Sequence, residues 1–265
     1  MWLRTSCDMI FDITLYTPFI LMLRLRSGAQ QWVERQEYRV HPHVPVLEFT
    51  DHYGNLCQRL VAPPGCFSVY TTADIVTADQ VDQSSGAPLV EIEDLPDTVL
   101  VYLLPSRFCE SDRFGQMAAE ITAGYLPGYD QVKAIETWLH NTIHYEAGGS
   151  DLLVSAIEVN ARGSGVCRDL SHLGIALCRS LNIPTRLVVG YLYRLEPMDL
   201  HAWFEAYIAG RWYTFDATQS ELTGGYVVIG YGRDAADIAI YNQFGAPVYP
   251  VSQHIRVELI EDSGI

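Results

Sequence analysis

The sequence predicts an α+β protein: an N-terminal β-sandwich over residues 1–104, then a core of helices packed on an antiparallel sheet over residues 105–265. Three observations carry this reading. Up to about Leu104 the chain breaks into short β-prone runs punctuated by proline and glycine turns. From Ser111 the apolar residues take the spacing of amphipathic helices, and after Pro184 they return to strand-like patterns.

In the first part, the apolar run from Met9 to Leu25 is interrupted by Asp12, Pro18 and Arg24. It lacks the basic start, unbroken apolar centre and small-residue cleavage site of a signal peptide, and it is too interrupted to cross a bilayer as a helix. It is read as strands, with a cytoplasmic protein as the expectation. Tyr38 to Val40 and Cys66 to Tyr70 are further β-prone runs, bounded by Pro42, Pro45 and the Pro63-Pro64-Gly65 turn. Asp51-His52-Tyr53-Gly54-Asn55 forms a hairpin turn between Val46–Phe49 and Leu56–Ala62. No helix is expected before residue 104.

In the second part, Phe114, Met117, Ala118 and Ile121 share one helical face, with Ser111 as the cap. A helix from about Asp130 to His144 carries Val132, Ile135, Leu139 and Ile143 on one face. A short helix is expected from near Ser150 to before Gly163. A fourth follows the glycine-rich Gly163-Ser164-Gly165, with Leu170, Leu173, Leu177 and Leu181 at helical spacing, and Pro184 forbids its continuation. Arg186 to Tyr193 reads as a buried strand, and Gln253 to Glu261 as the last strand.

Cys167 falls in the first turn of that fourth helix, where unpaired N–H groups and the helix dipole favour a thiolate. His201 opens an alternating strand, Leu200 to Ile208, and Asp216 ends the returning strand. A hairpin centred near Ala209 brings His201 to within a residue or two of the position opposite Asp216, where Cβ atoms lie roughly 4.5–5.5 Å apart. A thiol, a histidine that shuttles its proton and a carboxylate that orients the ring are what cysteine-dependent acyl transfer needs. Cys167, His201 and Asp216 are therefore the candidate catalytic residues. The N–H of Cys167 supplies one oxyanion donor; the sequence does not identify a second.

Composition narrows the remaining classes. The 265 residues carry a formal charge of −15, with 32 acidic residues against 17 basic ones, of which only Lys133 is a lysine. That balance repels nucleic acid and anionic membranes. None of the six cysteines forms a CxxC pair, which excludes zinc-ribbon and thioredoxin-type sites, and no cofactor or metal is expected. His140 and His144 have the spacing of a metal pair but no third ligand, and Asp234 and Asp237 are read as a charged surface loop. His172 is read as structural. Trp203 and Trp212 are read equally as cleft walls or core.

Several segments resemble one family, the bacterial transglutaminase-like proteins. These are Cys167-Arg168-Asp169-Leu170-Ser171-His172-Leu173, Ile183-Pro184-Thr185-Arg186, Asp199-Leu200-His201-Ala202-Trp203 and Phe215-Asp216-Ala217-Thr218. The likeness extends to Asp51–Asn55, Pro105–Phe108 and Gly232–Asp234. Arg168 stands where the family's cysteine box has glutamine, and Ala217-Thr218-Gln219 where its aspartate box has Pro-Thr-Asn. The resemblance implies a papain-like core with Cys167 as nucleophile, His201 as base and acid, and Asp216 as orienting group. Its activity would be hydrolysis of an amide in a peptide or protein substrate. Transamidation with the same three residues, and a non-catalytic binding protein retaining the fold, are the alternatives.

Overall fold

The computed structural model describes residues 1–28, 30–146 and 153–260. Its first part is a two-sheet sandwich. Strands β1 (Trp2–Ile13), β2 (Thr17–Leu21), β3 (Gln31–His41), β4 (Leu47–Thr50), β5 (Leu56–Ala62) and β6 (Gly65–Thr77) supply six of its strands. β1 alternates buried positions with half-buried or exposed ones along its length, as a strand with one face on a core must. Two turns of 3-10 helix flank a single helical turn, α1 (Asp97–Leu100), where no helix was expected.

The next elements are α2 (Gly115–Ile121), α3 (Tyr129–Thr142), β7 (His144–Tyr145), α4 (Ala156–Arg162), β8 (Ser164–Gly165) and α5 (Cys167–Ser180). Ser111 does not cap α2; it opens a 3-10 turn, and Phe114 holds the cap position without a side-chain bond. α3 stops at Thr142 because His144 and Tyr145 leave it to pair in parallel with Ser164 and Gly165. α4 begins at Ala156, with the Ser155 N–H held by Glu158 Oε2 at 2.8 Å. The helix start expected near Ser150 lies outside the described residues.

Strands β9 (Thr185–Leu192), β10 (His201–Ile208), β11 (Arg211–Phe215) and β12 (Tyr226–Gly232) form an antiparallel sheet in the order β11-β10-β9-β12. α5 lies against this sheet so closely that a Cβ on Gly174 would stand 2.8 Å from the Phe204 ring. The β10–β11 turn is the two-residue Ala209-Gly210, both at positive φ (49° and 84°), as a tight hairpin requires. Its register pairs Phe204 with Phe215 and Ile208 with Arg211.

The chain then returns to the sandwich. β13 (Tyr241–Gln243) pairs with β2, and β14 (Pro250–Leu259) pairs with β1, giving sheets β14-β1-β6-β3 and β13-β2-β5-β4. Sheet membership therefore does not follow a single cut at residue 104: residues 241–259 belong by pairing with the N-terminal strands. A partner strand more than two hundred residues away leaves no trace in local periodicity. The junction is sealed by side chains. Asn55, in the β4–β5 turn, exchanges two hydrogen bonds with the Tyr231 backbone of β12, at 2.7 and 2.8 Å. Gln31 does the same with Val228, at 2.8 and 2.7 Å. No helix among the described residues is long and apolar enough to cross a membrane.

Candidate active site

Cys167 is the first residue of α5, after Val166 at the cap position. Valine has no side-chain acceptor, so the only cap bond is the reverse one, from the Val166 N–H to Asp169 Oδ2 at 3.3 Å. The Asp169 and Leu170 N–H groups turn back to the Val166 carbonyl, at 2.9 and 3.0 Å, and the positive end of the α5 dipole lies beside the sulfur. Cys167 is partly exposed at the floor of a cleft of about 360 Å3, which His201 also lines.

His201 and Asp216 are both buried, and His201 Nε2 lies 2.6 Å from Asp216 Oδ2. The carboxylate is held on every side. Its Oδ1 accepts the Thr218 N–H at 3.0 Å and the Thr218 hydroxyl at 2.7 Å. Its Oδ2 also accepts the Tyr226 hydroxyl at 2.9 Å. Behind it, the Asp216 N–H donates to Glu136 Oε1 at 2.7 Å, and His140 Nδ1 lies 2.9 Å from the Ala217 carbonyl, so α3 fixes the loop from two positions. His201 Nδ1 is buried with no hydrogen-bond partner among the described residues, and it is the ring nitrogen left for a thiol.

Electrostatics follow from this packing. Burial pulls the His201 pKa down, but the Asp216 charge and hydrogen bond, helped by Cys167, reverse that and push it up to about 10. Burial raises Asp216, yet His201 and the Thr218 bonds carry it below the usual carboxylate range. The Tyr226 phenol is raised, first by burial and then by Asp216, so it remains a donor. Tyr145 lines the cleft as well; burial, then the nearby charges of Cys167, Asp216 and Asp199, hold its phenol up at about 12. This set of groups can stabilise an imidazolium next to a sulfur at a helix start.

The structure thus brings His201 and Asp216 into contact and places Cys167 in the same cleft. It also corrects neighbouring expectations. Asp234 is no surface residue: it is fully buried and accepts the N–H groups of Phe108 (2.7 Å) and Ala236 (2.8 Å). Asp237 bonds Arg233 and the Tyr53 hydroxyl. His172 is buried, its Nδ1 3.1 Å from the Val154 carbonyl and its Nε2 accepting the Ala235 N–H at 3.2 Å. Trp203 is core, stacked on His201 at 6.0 Å, and Trp212 packs on Arg186 at 4.1 Å; neither lines the cleft.

Sequence reading missed Tyr226, Glu136 and Tyr145. Glu136 had a signal, since it sits four residues after Val132 on the apolar face of α3. Tyr226 had none, because a tyrosine opening an apolar strand reads as core.

A family model described as the transglutaminase-like superfamily matches residues 115–217. The crystal structure of a Cytophaga hutchinsonii protein named "Putative Cysteine Protease" superposes with a TM-score of 0.90 at 34% identity, covering 100% of this chain and 92% of that one. An uncharacterised protein of Mycobacterium leprae is 26% identical over 239 residues, 83% of this chain and 85% of its own length. Another, from Mycobacterium tuberculosis H37Rv, is 26% identical over 191 residues, and the match spans 58% of its length.

Proposed function

The chain belongs to the transglutaminase-like superfamily, and on that premise we propose that it hydrolyses amide bonds through Cys167, His201 and Asp216. The observation that carries this reading is the buried 2.6 Å contact of Asp216 with one ring nitrogen of His201, which leaves the other nitrogen for the thiol. His201 takes the thiol proton, and the Cys167 thiolate attacks the amide carbonyl carbon. The oxyanion draws on the Cys167 N–H and, in this reading, on the Tyr145 phenol. His201 then protonates the departing amine as the C–N bond breaks, leaving a thioester. Water, deprotonated by His201, attacks the thioester, and the acid leaves as the thiol takes back its proton. Asp216 stays ionised throughout and holds the ring in its tautomer.

Hydrolysis is favoured over transamidation because the cleft opens to solvent beside the exposed Pro197 and Asp199, so water reaches the thioester. The test is amide turnover by the wild type and by Cys167→Ala on a peptide mixture containing glutamine, with a labelled amine present. Release of peptide or ammonia that vanishes in the variant supports the hydrolase. Amine incorporation instead identifies a transamidase. Turnover that survives in Cys167→Ala overturns the assignment, and inertness of a folded wild type leaves a binding protein.

A further inference from the structure

One wall of the cleft is a single apolar stretch of chain. After β12, residues 235–241 cross from the core sheet to the sandwich, and Ala235, Ile238, Ala239, Ile240 and Tyr241 all line the cleft. The one charged residue in this strap, Asp237, bonds to Arg233 and Tyr53 and does not line the cleft. The strap is pinned along its length. His172 Nε2 holds the Ala235 N–H at 3.2 Å, buried Asp234 holds the Ala236 N–H at 2.8 Å, and the Ile240 carbonyl accepts the Met22 N–H at 2.8 Å.

The loop before His201 contributes Leu195, Pro197 and Leu200, and the sandwich adds Met9 from β1 and Tyr249. Among the described residues, the charged side chains that line the cleft besides His201 are Arg168 and Asp199. Asp199 Oδ1 already accepts the Leu200 N–H at 2.7 Å and Gln253 Nε2 at 2.9 Å. That second bond ties the loop to β14, so the sandwich both forms and braces the cleft. A preformed cleft with one apolar wall beside a nucleophile gains from covering an apolar side chain on that wall and loses by desolvating a charged one there. The net charge of −15 adds a penalty for acidic substrates.

We propose that this cleft selects acyl groups bearing a leucine- to phenylalanine-sized apolar side chain at or next to the attacked carbonyl. The strap, with Tyr249 of the sandwich, is the surface that reads it. The inference rests on Cys167 being the thiol that reacts, but not on what accepts the acyl group.

It is tested with acetyl-dipeptidyl chloromethyl ketones carrying leucine, phenylalanine, glycine, glutamine or glutamate at either position. The thiolate displaces chloride and a C–S bond forms, so recognition is read without amide turnover. Labelling of Cys167 is followed by mass spectrometry of its own peptide, which separates it from exposed Cys66. Rates are normalised to iodoacetamide.

The expected result is labelling about 10- to 100-fold faster by the leucine and phenylalanine reagents than by the glycine or glutamate ones, the scale set by covering one apolar side chain. Ile240→Ala in the strap combined with Tyr249→Ala should compress that ratio severalfold. Equal rates, or a preference for glutamine or glutamate, overturn the inference alone. A ratio unchanged in the double variant overturns the role given to this wall. Failure of Cys167 to react with any of the reagents overturns the nucleophile assignment and the inference together.

Discussion

Tyr226 donates its phenolic hydrogen to Asp216 Oδ2, the carboxylate oxygen that also faces His201, at 2.9 Å. Two donors thus converge on one oxygen, and Trp203 packs against both rings, 6.0 Å from His201 and 5.0 Å from Tyr226. Tyr226→Phe removes one donor and leaves the ring in place. The expected outcome is a fall in kcat of about tenfold with KM unchanged. Asp216→Asn, which disturbs the histidine tautomer itself, should cost on the order of 10³-fold or more. Steady-state kinetics on the two variants check the ranking.

The raised pKa of His201 has a stability consequence. A group whose folded pKa lies near 10, above its ordinary 6.5, stabilises the fold fully below about 6.5 and loses that contribution as pH rises through 10. Urea unfolding of the wild type should therefore show its midpoint falling already between about pH 6.5 and pH 8, below the range in which the buried Cys7, Cys57 and Cys178 thiols, also raised by burial, begin to cost stability. In His201→Gln the fall over that interval should be smaller.

His172 works at the opposite end of the scale. Burial pushes it down to about 4, only partly countered by Asp234 and the Val154 bond. The native state resists a proton that the unfolded chain accepts from about pH 6.5, so stability is complete above that value and is lost as pH falls towards 4. His172→Phe leaves the Ala235 N–H and the Val154 carbonyl without the partners they have in the wild type. A loss of about 2–4 kcal/mol at pH 7.5 is expected, together with a weaker acid dependence, both measured by denaturant titration at several pH values.

Arg186 lies over the rings of Trp212 (4.1 Å) and Tyr231 (3.6 Å), and its Nε and Nη2 both reach Glu205 Oε2, at 2.8 and 2.6 Å. Glu205 is fully buried and its other oxygen has no partner among the described residues. Arg186→Leu strands that charge and should cost about 3–5 kcal/mol. Adding Glu205→Leu should recover most of the loss; thermal unfolding of the single and double variants gives the comparison.

The sequence reveals much of the site because its determinants are local. Gly165 and Cys167 announce a loop turning into a helix, and the apolar spacing of Leu170, Leu173 and Leu177 carries that helix onward. Ala209-Gly210 sets a two-residue hairpin, so arithmetic along the chain brings His201 near Asp216. The actual register is centred half a residue later than expected, and the ion pair spans it diagonally. What stayed hidden depends on distant partners. Asp234 looks like a surface charge until Phe108, more than a hundred residues earlier, presents its N–H. Tyr226 looks like core until Asp216 comes alongside. Nothing local to residues 235–241 says that they line the same cleft as Cys167.

The pairing of β14 with β1 sets an order of events during synthesis. β1 emerges among the first residues, yet one of its edges waits for a neighbour made more than two hundred residues later. Until that neighbour arrives the nascent sandwich carries an open, pairing-competent edge. Gln253, which braces the loop ahead of His201, arrives on that same late strand. The ribosome therefore finishes the thiol, the imidazole and the carboxylate before it finishes the enclosure around them.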